Sequence, residues 1–396
     1  MIIKNYVAPA LMLASGLAVA GDSVDERIAN LENEIQMLKS QSSESILDRV
    51  SVNGFFSAGM TRSDNDVGYA GTESSYEFES LSLLGLQAEF AAGEETSVIT
   101  QLIARGSDDF DPEFEWAYIR HTFDNYVTAR AGKLRVPLYM YSDYLDVGYS
   151  QPWVRPPEEV YGTVPFNAYL GVDLAYDVEF DDSTLSLQAF GGRAEESGIE
   201  FDSVYGASAS WSYEEWLLRG VYGYTEITVS DSSNPVGSVI EDGSKSNFYG
   251  LGLSYDDGEL LFVSELTRVK VDGQYSDTDS GYATLGYRFG QWMPYISYAR
   301  METTDNEERV GETVSVNGIT IPTSLLADAE HDAYSVGVRY ELSSSIAIKA
   351  DATLIDNFNG TTGIINNSLP ARNISSSLQP EEDSSVVYAV RLDCVF

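Results

Sequence analysis

From Val50 to Phe396 polar and apolar side chains alternate with a period of two, and this restricts the fold more than any other feature. Successive side chains of an extended strand point to opposite faces, so such a chain divides into two surfaces. Over 205–213 one surface carries Tyr205, Ala207, Ala209, Trp211 and Tyr213, and the other Gly206, Ser208, Ser210 and Ser212. Tyr249, Leu251, Leu253 and Tyr255 interleave with Gly250, Gly252 and Ser254, and Tyr334, Val336, Val338 and Tyr340 with Ser335, Gly337 and Arg339. Over 169–180, Leu170, Val172, Leu174, Tyr176, Val178 and Phe180 share one face, while Asp173, Asp177 and Glu179 share the other. Aromatics at both ends of the apolar face match the girdles of a lipid-facing band with two interfaces. A soluble sandwich also alternates, but it seldom covers its second surface so consistently with Gly, Ser, Asp and Arg.

The alternating segments number sixteen, near 50–62, 75–90, 96–105, 113–123, 126–134, 168–180, 183–192, 203–213, 216–229, 247–255, 259–271, 280–289, 292–302, 331–342, 346–357 and 385–396. Tight turns such as Asp124-Asn125, Asp181-Asp182, Glu214-Glu215 and Gly290-Gln291 alternate with long polar connections at 135–167, 230–246, 303–330 and 358–384. Short turns at one end and long loops at the other are the pattern of a transmembrane barrel. The expected fold is therefore an all-β barrel of about sixteen antiparallel strands over 50–396. The even count places both strand ends on the short-turn, periplasmic side.

Residues 1–20 read as a signal peptide. Lys4 supplies the positive start, 7–19 is mostly apolar, and Ala18-Val19-Ala20 forms a small-residue cleavage site. The apolar run is shorter than the ~20 residues a spanning helix needs. The mature chain is expected to begin at Gly21. Over 21–41, Val24, Ile28, Leu31, Ile35 and Leu38 follow the rhythm of a coiled coil. Arg27 with Glu32, and Glu34 with Lys39, are attractive pairs between parallel helices, so Ile28, Leu31, Ile35 and Leu38 are the candidate self-association seam. Residues 42–49 are a polar linker.

Charge and rare residues then exclude whole classes. With 23 Lys+Arg against 62 Asp+Glu the formal net charge is −39, which a nucleic-acid backbone would repel. The lone Cys394 allows neither an internal disulfide nor a cysteine metal cluster, and two His rule out a His-rich site. Cys394 reads as a small lipid-facing hydrophobe. No nucleophile elbow, zinc-protease helix or phosphate loop occurs, so neither catalysis nor a cofactor is expected. The acidic run from Asp108 to Glu113 lacks EF-hand spacing and reads as solvated loop charge, not a metal site.

Three stretches carry a family resemblance: Val52-Asn53-Gly54-Phe55-Phe56, Ser82-Leu83-Leu84-Gly85-Leu86-Gln87, and Gly132-Lys133-Leu134-Arg135-Val136-Pro137 followed by Tyr141-Ser142-Asp143-Tyr144. Over 50–396 the chain resembles porin-like proteins of marine gammaproteobacteria, and its N-terminal coil is similar to that of trimeric dicarboxylate-type porins. The closing strand, with Tyr388, Val390, Leu392, Cys394 and Phe396 on one face, resembles the terminal strand that the outer-membrane assembly machinery reads. The resemblance implies a homotrimer in the lipid and lipopolysaccharide of a Gram-negative outer membrane, with the connection 135–167 folded inward.

That connection holds Tyr139, Tyr141, Asp143, Asp146, Trp153, Arg155, Glu158 and Glu159, the candidate constriction. Its carboxylates would set the field at the narrowest point. Its tyrosines equally suit pinning the loop to the wall, with Arg155 bridging to an acid. Strand parity puts Arg130, Asp173, Asp177, Arg219, Arg288, Arg339, Lys349, Asp351 and Arg391 on the inner wall. More than half of the net negative charge falls in the long connections. The expected function is passive diffusion of small hydrophilic solutes with cation preference at low salt. An anion- or dicarboxylate-selective porin using the wall arginines is the alternative, and a surface receptor or adhesin the second.

Overall fold

The computed structural model describes residues 49–396 apart from 67, 197, 230–239, 241, 274, 317–318, 360 and 362–383. The expected signal peptide, coiled coil and most of the linker lie outside these residues. Alternation produces strands β1 (Val50–Ser63), β2 (Leu83–Ala91), β3 (Thr96–Arg105), β4 (Pro112–Thr122), β5 (Thr128–Arg135), β6 (Ala168–Glu179), β7 (Ser183–Glu196), β8 (Ile199–Tyr213) and β9 (Trp216–Val229). The chain continues through β10 (Ser244–Asp256), β11 (Leu260–Val271), β12 (Thr278–Tyr287), β13 (Trp292–Thr303), β14 (Thr313–Val316), β15 (Ile319–Pro322), β16 (Glu330–Ser343), β17 (Ile346–Asp356) and β18 (Ser385–Val395). All but β14 and β15 form one closed antiparallel barrel in which each strand pairs with its neighbour and β18 returns to β1. The sixteen expected segments are these barrel strands.

Closure is set by the last residues. Phe56 stands opposite Cys394 and Ala58 opposite Leu392. Gly54 N donates to Phe396 O at 2.8 Å and Phe396 N to Gly54 O at 2.9 Å. Such a ring leaves no strand edge unpaired, as a spanning sheet in lipid requires. Leu170, Val172, Leu174 and Tyr176 are exposed on the outside of β6, whereas Asp173 between them is buried inside.

Beyond boundary shifts of one to three residues, the structure departs from the sequence reading in three places. Residues 193–202 were expected as a loop, yet β7 and β8 run on to Glu196 and Ile199, with Ala194 opposite Phe201. Ala194, Ile199 and Phe201 are buried in the inner apolar cluster, and that burial outweighs the acids around them. The second segment begins at Leu83 instead of 75. The connection 303–330 contains the small β14–β15 hairpin, whose strands of four residues are too short to show a period.

The barrel is partly filled. Leu134, Val136, Leu138, Tyr139, Trp153, Val160, Tyr161 and Phe166 pack inside it against Phe190, Val204, Val221, Phe248, Val263, Tyr282 and Tyr295. The main apolar core therefore lies between the connection 136–167 and the inner wall. Wall glycines allow the approach: a Cβ on Gly252 would strike the Met140 sulfur.

Candidate functional site

The connection after β5 turns into the lumen, and wall side chains hold it along its length. Arg219 Nη2 donates to Pro137 O at 2.6 Å. Glu265 Oε1 accepts from Met140 N at 2.7 Å, and its other oxygen accepts from the Tyr161 and Tyr282 hydroxyls. Lys349 Nζ reaches Gly148 O at 2.5 Å and Trp153 O at 3.0 Å. Arg339 donates to Tyr149 O and, at 2.7 Å, to Gln151 O. Arg391 Nη1 donates to Val154 O at 3.1 Å. Four wall cations expected to face the lumen therefore grip main-chain oxygens of the loop. Asp393 neutralises part of their charge, at 2.9 Å from Lys349 Nζ and 2.7 Å from Arg391 Nε. A Cβ on Gly148 would meet the ends of the Arg391 and Asp393 side chains and push them aside.

Carboxylates fix the rest of the loop. Asp146 lies 2.7 Å from Arg135 Nη1 and 3.2 Å from Arg105 Nη2, and both arginines also meet Glu115. Burial resists the charge on Asp146, but Arg135 and Arg105 outweigh it and hold its pKa below the ordinary aspartate value. In the short helix α1 (Glu158–Tyr161), Glu159 is fully buried. Its Oε1 accepts from the Tyr69 hydroxyl at 2.8 Å and lies 3.0 Å from His331 Nε2. Burial raises the Tyr69 pKa, and the Glu159 charge raises it further. Arg155 donates to Ala70 O at 3.0 Å and to Ser80 Oγ at 3.3 Å. It does not make the acid bridge expected from sequence.

The candidate residues thus fall into two sets. Tyr139, Trp153 and Glu159 are buried between loop and wall, where Trp153 Nε1 donates to Thr284 Oγ1 at 2.8 Å and Asp351 accepts from Tyr295 at 2.7 Å. Tyr141 stacks edge-on to Trp153 at 5.3 Å, and burial pushes its pKa up to about 12. Asp143 is exposed, and its charge is felt at Arg130 and Arg219 on β5 and β9 and at Tyr118 and Tyr169. Arg130 makes a bidentate pair with Asp173, which also accepts from Gln188 at 3.0 Å. Glu158 is half-buried beside Glu159, Asp177 is exposed on β6, and Arg288 pairs with Asp256 at the short-turn end.

Sequence reasoning missed Glu265, Glu115, Arg105, Tyr69 and the role of His331. Only Glu265 carries a signal. It is the single acid on an inward row that otherwise reads Leu261, Val263, Thr267, Val269 and Val271.

No family model and no curated protein matches the chain. Among solved structures it is similar to an anion-selective porin from Comamonas acidovorans, with 14% identity, a TM-score of 0.59, and 88% of this chain and 99% of that one covered. Outer-membrane-expressed OmpT of Vibrio cholerae matches at 13% identity and a TM-score of 0.57, covering 88% and 97%. Salmonella typhi OmpF in complex with daunomycin matches at 12% and 0.57 over the same shares. The common property is the sixteen-stranded barrel.

Proposed function

We propose that the chain is a porin of a Gram-negative outer membrane, passing small hydrophilic solutes and ions by diffusion, without catalysis. The observation that carries this reading is the inward-folded loop, which the wall holds inside the barrel so that it narrows the lumen. Charged and polar side chains lining a narrowed passage select among small solutes without binding any of them tightly. The likeness to porin barrels supports the same conclusion.

Selectivity follows from where the charges stand. Arg339, Lys349 and Arg391 are buried beneath the loop they hold, so they are poorly placed as a ladder for anions. The long connections, by contrast, present excess carboxylate at the mouth. That excess attracts cations over about 10 Å at 0.1 M salt and over far less at 1 M. Reversal potentials in a planar bilayer test this: cation preference is expected at 10 mM salt, fading at 1 M. Anion preference at 10 mM would support instead the dicarboxylate-type alternative, with the wall arginines as its binding ladder.

A homotrimer is also proposed. Outward Tyr and Trp stand on β6, β8–β10, β12, β13, β16 and β18, as Tyr176, Trp211, Trp216, Tyr249, Tyr287, Trp292, Tyr334 and Tyr388 illustrate. The outward faces of β1–β5 carry none among the described residues, an unbroken run of five strands, while β7, β11 and β17 lack them singly; Ala58, Leu86, Ala88, Val98, Thr100, Ala129 and Ala131 stand on that run instead. A wall without interfacial anchors suits contact with another barrel better than contact with lipid. The signal peptide, the periplasmic coil through Ile28, Leu31, Ile35 and Leu38, and delivery by the assembly machinery through Phe396 complete the proposal.

A further inference from the structure

The second half of the inward loop is built as an arch. Arg391 holds Val154 O at 3.1 Å, and His331 on β16 holds Glu159 at 3.0 Å. Between these anchors Pro156 and Pro157 have no N–H to offer the wall. Under the arch lies a cavity of about 40 Å³, bordered by Ser297, Ser335, Thr353 and Asp351 of the wall and by Arg155 and Glu159 of the loop. Both carboxylates keep one oxygen unused. Glu159 Oε2 is buried and accepts from no donor among the described residues. Asp351 takes its bonds on Oδ2, from the Tyr295 hydroxyl at 2.7 Å and from Val154 N at 3.4 Å.

Arg155 borders this cavity yet sends its donors away from it. Nη1 donates to Ala70 O at 3.0 Å and Nη2 to Ser80 Oγ at 3.3 Å, and Ser80 Oγ in turn donates to Glu77 at 2.5 Å. Ala70 and Ser80 belong to the connection 64–82 between β1 and β2, which folds inward over the arch and buries Tyr69 and Leu81. Gly68, Ala70 and Gly71 are left-handed there, with φ of 86°, 50° and 73°. An alanine keeps that conformation only where its surroundings hold it, and the Arg155 bond falls on its carbonyl. The unused carboxylate oxygens are stronger partners for a guanidinium than a carbonyl or a hydroxyl. Entering the cavity, however, strips the head of water and brings it toward Arg391, where its charge is already felt. Gain and loss oppose each other, which is the condition for two seats. The space suffices: the cavity holds about three water-sized groups, and the head is three nitrogens around one carbon.

We propose that Arg155 is a positioning residue with two seats: in one it ties Ala70 and Ser80 to the constriction loop, and in the other it enters the cavity onto Asp351 and Glu159 and releases that connection. Release widens the long-loop mouth. The inference rests on the porin reading for its effect on passage, and on the geometry alone for the two seats.

The test follows amide exchange over residues 68–81 of the full-length protein by mass spectrometry, with single-channel recordings in parallel. Ser80→Ala weakens the first seat and Asp351→Asn the second. The first change should speed exchange about tenfold and the second slow it by a similar factor, since each alters a bond to a charged group. A single fixed seat cannot give opposite shifts from two neighbours of one guanidinium. Ala333→Leu fills the cavity with every charge intact and should act as Asp351→Asn does, which covers the case that asparagine disturbs β17. Ser80→Ala should also add a larger open level that wild type rarely visits. Shifts of the same sign in Ser80→Ala and Asp351→Asn, or exchange that ignores both Asp351→Asn and Ala333→Leu, would overturn the proposal. Wild-type protein that conducts nothing would sink the porin reading alone, because exchange still decides the seats. A conducting channel whose exchange over 68–81 responds to none of the three changes would sink this proposal alone.

Discussion

Glu265 shows how much one side chain supports here. Its two oxygens accept from Met140 N, Tyr161 and Tyr282, joining the start and end of the loop to β11. Leucine fits the surrounding row but leaves Met140 N and one of the two tyrosine hydroxyls, which can still bond each other, without an acceptor, each costing about 1–3 kcal/mol. Glu265→Leu is therefore expected to speed amide exchange around Met140 by about two orders of magnitude while β1–β18 keep their protection. Mass-resolved exchange reads this, and unchanged protection at Met140 would show that the apolar packing alone seats the loop. A charge on a dry inward row was visible in the sequence. The pairing of Glu159 with His331 was not, because 172 positions separate them and neither has a distinctive local setting.

At the scale of elements, the barrel strands were legible because a period of two repeats in each, and the loop because it breaks that period. The seat of the loop was not legible. Parity puts Arg339, Lys349 and Arg391 inside, but parity is silent on whether a cation meets water, a solute or a carbonyl. The loop also has a pH dependence of definite sign. Asp146 titrates lower in the folded protein than in an unfolded chain. Its stabilisation is complete above the ordinary aspartate pKa, about 3.9, and disappears as pH falls through the lower folded value. Single-channel recordings should show a quiet open level at pH 5 and closures only well below pH 4. Frequent closures already at pH 5 would assign the seat to groups that protonate earlier.

For the whole molecule, the division of the outer wall into a sector with Tyr and Trp and one without is the feature that bears on assembly. Ala88→Trp with Thr100→Trp puts two large rings on β2 and β3. Ala207→Trp with Ala209→Trp puts the same rings on β8. Lipid accommodates such rings, whereas a packed protein wall does not. The first pair is expected to convert trimers to folded monomers, and the second to leave trimers intact, by size-exclusion light scattering in detergent. Monomers from both pairs, or from neither, would refute β1–β5 as the contact. This division was present in the sequence, but it emerges only when the strands are laid side by side.

The wall cations hold the loop by carbonyl oxygens, and a carbonyl is the same whichever residue bears it. Tyr149, Gln151, Trp153 and Val154 can therefore be exchanged, as far as these anchors are concerned, without losing their grip. Gly148 is the exception, since a larger residue there would displace the Arg391 and Asp393 side chains that hold the loop. Lineages descending from such a barrel can therefore rewrite the exposed positions of the insert, such as Asp143 and Tyr144, while the socket of wall cations keeps its hold on the main chain.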